Sequence, residues 1–190
     1  MTFLGLDLGT SGLRGLLVDE AGAPIGDAVA DYAVSTPRTG WSEQDPAAWV
    51  SACETVIGAL RAAHPQSIAA LRGIAVSGHM HGAVLVDAAG AVIRPCLLWN
   101  DTRAADQAAR LDAEPAFRAI SGNIVFPGFT APKVLWVREN ERDAFDRTTK
   151  ILLPKASRSF SRTHSTLGAV NPGKTILPEI ARKAGSASSR

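Results

Sequence analysis

Asp7 closes a short apolar run and is followed by Gly9-Thr10-Ser11-Gly12, with Arg14 two residues further on. Glycines let the backbone approach an anion closely, and N–H groups together with two hydroxyls can donate to phosphate oxygens. Arg14 adds a fixed positive charge. A carboxylate beside such a tip repels phosphate directly, but it can hold a divalent cation that bridges the phosphates, usually through water. Gly9, Thr10, Ser11 and Arg14 are therefore candidate polyphosphate binders, and Asp7 is the candidate catalytic and metal-organising residue. An ordinary hairpin with a Gly-rich turn is the alternative, because D-x-G-T is a short pattern with many chance matches.

A second group lies at Gly78-His79-Met80-His81-Gly82, between the apolar runs Leu71–Ser77 and Ala83–Val86. Histidines between glycines at a strand end sit on a loop, where binding residues concentrate. Two histidines at i, i+2 could also ligate a metal, but no third ligand stands nearby at a familiar spacing. Hydrogen bonding to hydroxyls suits them better. Downstream, Trp99-Asn100-Asp101-Thr102-Arg103 follows the strand-like run Ala91–Trp99, and Asp101 or Asn100 can cap a helix over Ala104–Ala113.

These groups need a scaffold, and the chain reads as α/β. Phe3–Leu8 and Leu13–Val18 are strands on either side of the hairpin tip, and Ile25–Val34 follows the turn Gly22-Ala23-Pro24. Asp45 and Pro46 start a helix whose apolar stripe is Trp49, Ala52, Cys53, Val56, Leu60 and Ala63. Thr130-Ala131-Pro132 begins another, on which Lys133 could reach a binding cleft but is expected to be solvated, as helical lysines usually are. The order of elements fits a mostly parallel sheet with an antiparallel hairpin at its start, covered by helices.

Composition sets bounds. The 190 residues carry 20 Lys/Arg against 18 Asp/Glu, and two cysteines, Cys53 and Cys96, offer no disulfide framework. No run approaches the ~20 apolar residues of a membrane span, and Met1-Thr2 leads straight into the first strand. The expectation is a cytoplasmic protein with no membrane or nucleic-acid partner. From Lys155 on the character changes: seven Lys/Arg and seven Ser stand against one acidic residue, Glu179. Such a tail ordinarily suggests a basic arm. Its few apolar residues and poor periodicity predict disorder. Within it, Gly168 to Thr175 satisfies G-x-x-x-x-G-K-[ST], but no apolar strand precedes the match and Pro178 would break a following helix, so it is a chance pattern.

DLGTSGLRGLLVD, WSEQDPAAW at Trp41–Trp49, SGHMHGA at Ser77–Ala83, LLWNDTR at Leu97–Arg103 and SGNIVFPGFTAPKVLWVREN at Ser121–Asn140 together resemble the N-terminal domain of the bacterial xylulokinases, in the FGGY family of carbohydrate kinases. The resemblance spans nearly all of Met1–Lys155. It implies an actin-like ATPase domain (ribonuclease H-like motif), a mixed sheet flanked by helices. It also implies phosphoryl transfer from Mg-ATP to D-xylulose, with Met80, His81, Trp99, Asn100 and Asp101 as substrate-binding residues and a homodimer for a full-length enzyme. Glycerol kinases carry an Arg-Glu pair where Met80-His81 stand, so a ketopentose is favoured over glycerol. His79 departs from the glutamine expected there.

In the family the aspartate that takes the hydroxyl proton lies in a Gly-Gly-Asp-Asn type motif, which this sequence does not contain. Residues 1–155 are thus expected to form the sugar-kinase domain and 156–190 a basic tail, with loss of reading frame after Lys155 as its origin. An inactive enzyme fragment is the leading expectation. A sugar-binding module and a basic-tailed interaction protein are the alternatives.

Overall fold

The computed structural model describes residues 1–154, so the tail and its phosphate-loop-like pattern lie outside the described residues. Strand β1 (Thr2–Leu8) alternates strictly, with Leu4, Leu6 and Leu8 buried and Phe3, Gly5 and Asp7 outward. That period of two lets one face build a core while the other carries Asp7. β2 (Gly12–Asp19) pairs antiparallel with β1, and β3 (Pro24–Asp31) pairs antiparallel with β2. The short β4 (Glu43–Gln44) leads into helix α1 (Pro46–Ala63). As expected, Asp45 caps α1, its carboxylate accepting from the Ala47 N–H at 2.9 Å.

Helix α1 packs on the inner face of β2 and β3 through Trp49, Ala52, Val56 and Leu60, while Cys53 is half-buried and Ala63 exposed. Gly15 permits the close approach, since a Cβ there would strike the Val56 side chain. A short helix α2 (Pro65–Ala69) then feeds β5 (Leu71–Gly78), parallel to β1. The main sheet runs β3-β2-β1-β5. The sequence suggested a mostly parallel sheet covered by helices; among the described residues only the β1–β5 pair is parallel, because tight turns join β1, β2 and β3 into a meander. Among the described residues its outer face is uncovered, with Phe3, Leu16, Ile74 and Val76 all more than a third exposed.

The second half folds around smaller pairings. β6 (Val84–Val86) pairs with β8 (Lys150–Leu152), and β7 (Cys96–Leu97) pairs with β4. The strand expected over Ala91–Trp99 is therefore confined to β7. Pro95 supplies no N–H to a ladder, and the Arg94 side chain turns aside to the carboxylates of Glu43 and Glu141. Helices α3 (Ala105–Asp112), α4 (Pro115–Ser121), α5 (Thr130–Asn140) and α6 (Arg142–Arg147) complete the fold. Among the described residues no helix is long and apolar enough to cross a membrane.

Candidate functional site

The hairpin tip between β1 and β2 is held from several sides. The Gly9 N–H donates to the Gly12 carbonyl at 2.9 Å, and the Tyr32 hydroxyl donates to the Gly9 and Gly12 carbonyls at 2.7 and 3.0 Å. Burial, with the Asp7 carboxylate nearby, pushes the Tyr32 phenol up to about 12, so it stays a neutral donor. Gln44 completes the clamp. Its amide donates to the Thr10 and Ala33 carbonyls at 2.9 and 3.1 Å, and its oxygen accepts from the Trp49 indole at 2.7 Å. Gln44 is almost wholly buried, so these bonds are not shared with water.

Asp7 stands on the outer face directly across from Arg14 in the β1–β2 register. Arg14, expected as a fixed positive charge at the tip, pairs with the exposed Asp27 on β3 at 2.9 Å. The pairing is diagonal across the two strands, since Arg14 faces Val29 and Asp27 faces Leu16 in register. The tip itself adds the donors of Gly9, Thr10, Ser11 and Gly12. Among the described residues no three His, Cys, Asp or Glu side chains converge into a metal site. One outward carboxylate beside a glycine-rich turn is still the oxygen chemistry that suits Mg2+ carried in on phosphates. Asp7 would hold that ion, and the tip would hold the phosphates.

The sugar-side candidates come from two loops, after β5 and after β7. Met80 is exposed at the end of β5, and His81 adopts a left-handed backbone with φ of 63°. The His81 ring stacks on Phe129 with centroids 4.3 Å apart, and Phe126 meets Phe129 edge-on at 5.5 Å. Burial, reinforced by the Lys133 ammonium, lowers the His81 pKa and favours the neutral ring. Trp99 is 49% exposed, and its indole N–H donates to the Thr10 hydroxyl at 3.1 Å. That bond joins the hairpin tip to the loop after β7. Asn100 is exposed next to it.

Asp101 does not cap α3. Helix α3 is preceded by Ala104 with no side-chain cap. Asp101 is fully buried, accepting from the Ser42 N–H at 2.7 Å, the Arg103 N–H at 3.0 Å and the Arg103 guanidinium at 2.7 Å. Arg103 also pairs with Glu43 at 2.8 Å and lies 3.6 Å over the Trp41 ring. A carboxylate so committed anchors the loop behind Trp99.

Lys133 is likewise corrected. Instead of solvated, it is completely buried, its ammonium donating to the carbonyls of His81, Leu97 and Leu98 at 2.5, 2.9 and 2.8 Å. Burial pulls it down to about 8. Gly128 is a further unread contributor: a Cβ there would collide with the Trp99 carbonyl oxygen, so the chain can pass behind Trp99 only as glycine. The phrase Pro127-Gly128 was visible in the sequence, but nothing in it pointed to Trp99.

The model of the FGGY family of carbohydrate kinases, N-terminal domain, matches residues 2–160. The chain belongs to the FGGY family. It is 44% identical over 154 residues to a xylulose kinase of Klebsiella pneumoniae, covering 80% of this chain and 32% of that one. A xylulose kinase of Lactococcus lactis is 42% identical over 187 residues, covering 96% and 37%, so that similarity continues past Lys155. A crystal structure of a xyloylose kinase from Brucella ovis superposes with a TM-score of 0.82 at 62% identity, covering 83% of this chain and 33% of that one. The FGGY chain thus spans about a third of the length of the relatives it matches, and it has their actin-like ATPase fold.

Proposed function

We propose that this chain supplies the phosphate hairpin and the sugar-contacting loops of an ATP-dependent xylulokinase, which transfers a phosphoryl group to D-xylulose to give D-xylulose 5-phosphate. The Thr10–Trp99 hydrogen bond at 3.1 Å carries the reading, because it brings a phosphate-side and a sugar-side candidate into direct contact. The names of the relatives support the ketose. Bound Mg-ATP supplies the phosphoryl group and neutralises the charge that develops on transfer.

The chain's own residues orient and exclude. Asp7 would hold the cation, Gly9, Thr10 and Ser11 would donate to phosphate oxygens, and Arg14, paired to Asp27, would flank them. Met80, neutral His81, Trp99 and Asn100 line the sugar side, with Asp101 acting through the loop it anchors. Residues 1–155 are the kinase domain in this reading and 156–190 a basic tail. The base that takes the sugar's proton belongs to the part of the relatives beyond the matched third, as does the adenosine pocket, so the chain alone is inactive. A cytoplasmic setting and a homodimer of the full-length enzyme complete the proposal.

Two measurements on the purified chain test it. Titration with D-xylulose should move the NMR signals of His81, Trp99 and Asn100, whereas glycerol should not. A coupled ADP-release assay should show no turnover. Shifts confined to other residues would refute the sugar site, and turnover abolished by Asp7→Asn would show that the base lies within this chain.

A further inference from the structure

A lysine with no solvent exposure is costly unless its charge is fully used. Lys133 lies in the first turn of α5, and its three N–H donors meet three backbone carbonyls. The acceptors are not local. The His81 carbonyl belongs to the loop after β5, while the Leu97 and Leu98 carbonyls belong to β7 and the residue just before Trp99. Thr130, one turn earlier on α5, donates to the same His81 carbonyl at 3.1 Å. An apolar side chain could fill this slot, but it could not make divergent carbonyls face one point.

We propose that Lys133 is a positioning residue for sugar binding, which fixes the left-handed backbone at His81 and the approach of Trp99 to Thr10 by gathering these carbonyls on one ammonium. It touches no substrate. The idea rests on the sugar-site reading above, yet its geometric part stands without it. The groups facing the ammonium are the Cys96 thiol, the Asp101 carboxylate, the Arg103 guanidinium and the imidazoles of His79 and His81. Burial pushes the Cys96 thiol itself up to about 12, so it stays neutral while Lys133 titrates. A neutral amine has two N–H donors and must release one carbonyl.

The test uses the 190-residue chain, labelled for NMR, and its Lys133→Met variant. In the wild type, raising the pH through about 8 should shift the carbonyl carbons of His81, Leu97 and Leu98 together with the Lys133 side chain. In Lys133→Met, with helical and strand content retained, the nuclear Overhauser contact between the Trp99 indole and Thr10 should vanish. D-xylulose affinity should fall about tenfold, since a disordered site must be ordered on binding. A Lys133 titration that leaves the three carbonyls unmoved overturns the proposal, as does a folded variant that keeps both the contact and the affinity. If Lys133→Met does not fold, the wild-type titration decides. If the wild type binds no xylulose, the sugar-site reading fails, and the carbonyl shifts and the Trp99 contact still judge Lys133.

Discussion

Removing the Asp101 carboxylate should destabilise this chain more than most single changes. In Asp101→Ala the Ser42 and Arg103 N–H groups lose their acceptor, and the Arg103 guanidinium, 1% exposed at its side chain, keeps only Glu43 as a charged partner. Breaking a buried ion pair from one side costs about 3–5 kcal/mol, because the remaining charge stays desolvated. For a chain of this size each kcal/mol lowers the melting temperature by about 2–4 °C, so the expected drop is on the order of 10 °C. Asp101→Asn keeps the shape and part of the bonding and should lose less, about 1–3 kcal/mol. Arg103→Met combined with Asp101→Ala should be less damaging than the sum of the single changes, since the orphaned charge is then absent. Thermal unfolding followed by circular dichroism, with urea titration as a check, measures all of these. A loss below about 1 kcal/mol for Asp101→Ala would refute the idea that this carboxylate is an anchor.

Other outcomes follow from the same geometry. Burial and the Lys133 charge lower the pKa of both His79 and His81, so the unfolded chain binds protons more readily; stability should be full above about pH 6.5 and fall as the pH drops below it, which melting curves between pH 7.5 and 5 will show. Substituting His79 by Phe should flatten that dependence. Gly128→Ala should force the chain away from the Trp99 carbonyl and weaken xylulose binding, read by titration, and an unchanged affinity would remove Gly128 from the site. In a full-length enzyme carrying this domain, Asp7→Asn should lower kcat by about 10² or more with little change in xylulose affinity, because placing the cation acts mainly on the transition state.

The local elements were legible because their signals are local. Strict alternation in β1, the Asp45-Pro46 start of α1 and the Gly9–Gly12 turn each encode their own geometry. What escaped were the long-range commitments of polar side chains. Gln44 reaches back to Thr10, Arg94 across to Glu141, and Lys133 to carbonyls on separate loops, and no spacing within the sequence announces such partners. Lys133 was misread for the same reason. A lysine on an amphipathic helix is ordinarily outward, and only the convergence of three carbonyls makes the inward position tolerable. Asp101 had the residue type of a cap, but Arg103, two positions on, competed for it and won with a charged partner.

The bare outer face of the main sheet has a practical consequence. Phe3, Leu16, Ile74 and Val76 present an apolar surface on which Asp7 and Arg14 sit at one end, and β5 forms an edge of the described sheet. Water against such a surface is unfavourable, and a strand edge offers unpaired backbone donors and acceptors to any neighbour. Dilution and moderate charge therefore govern how this chain behaves in a tube. It should remain dispersed at low protein concentration, bind an apolar dye in its native state, and lose solubility steeply as its concentration or the concentration of a salting-out salt rises.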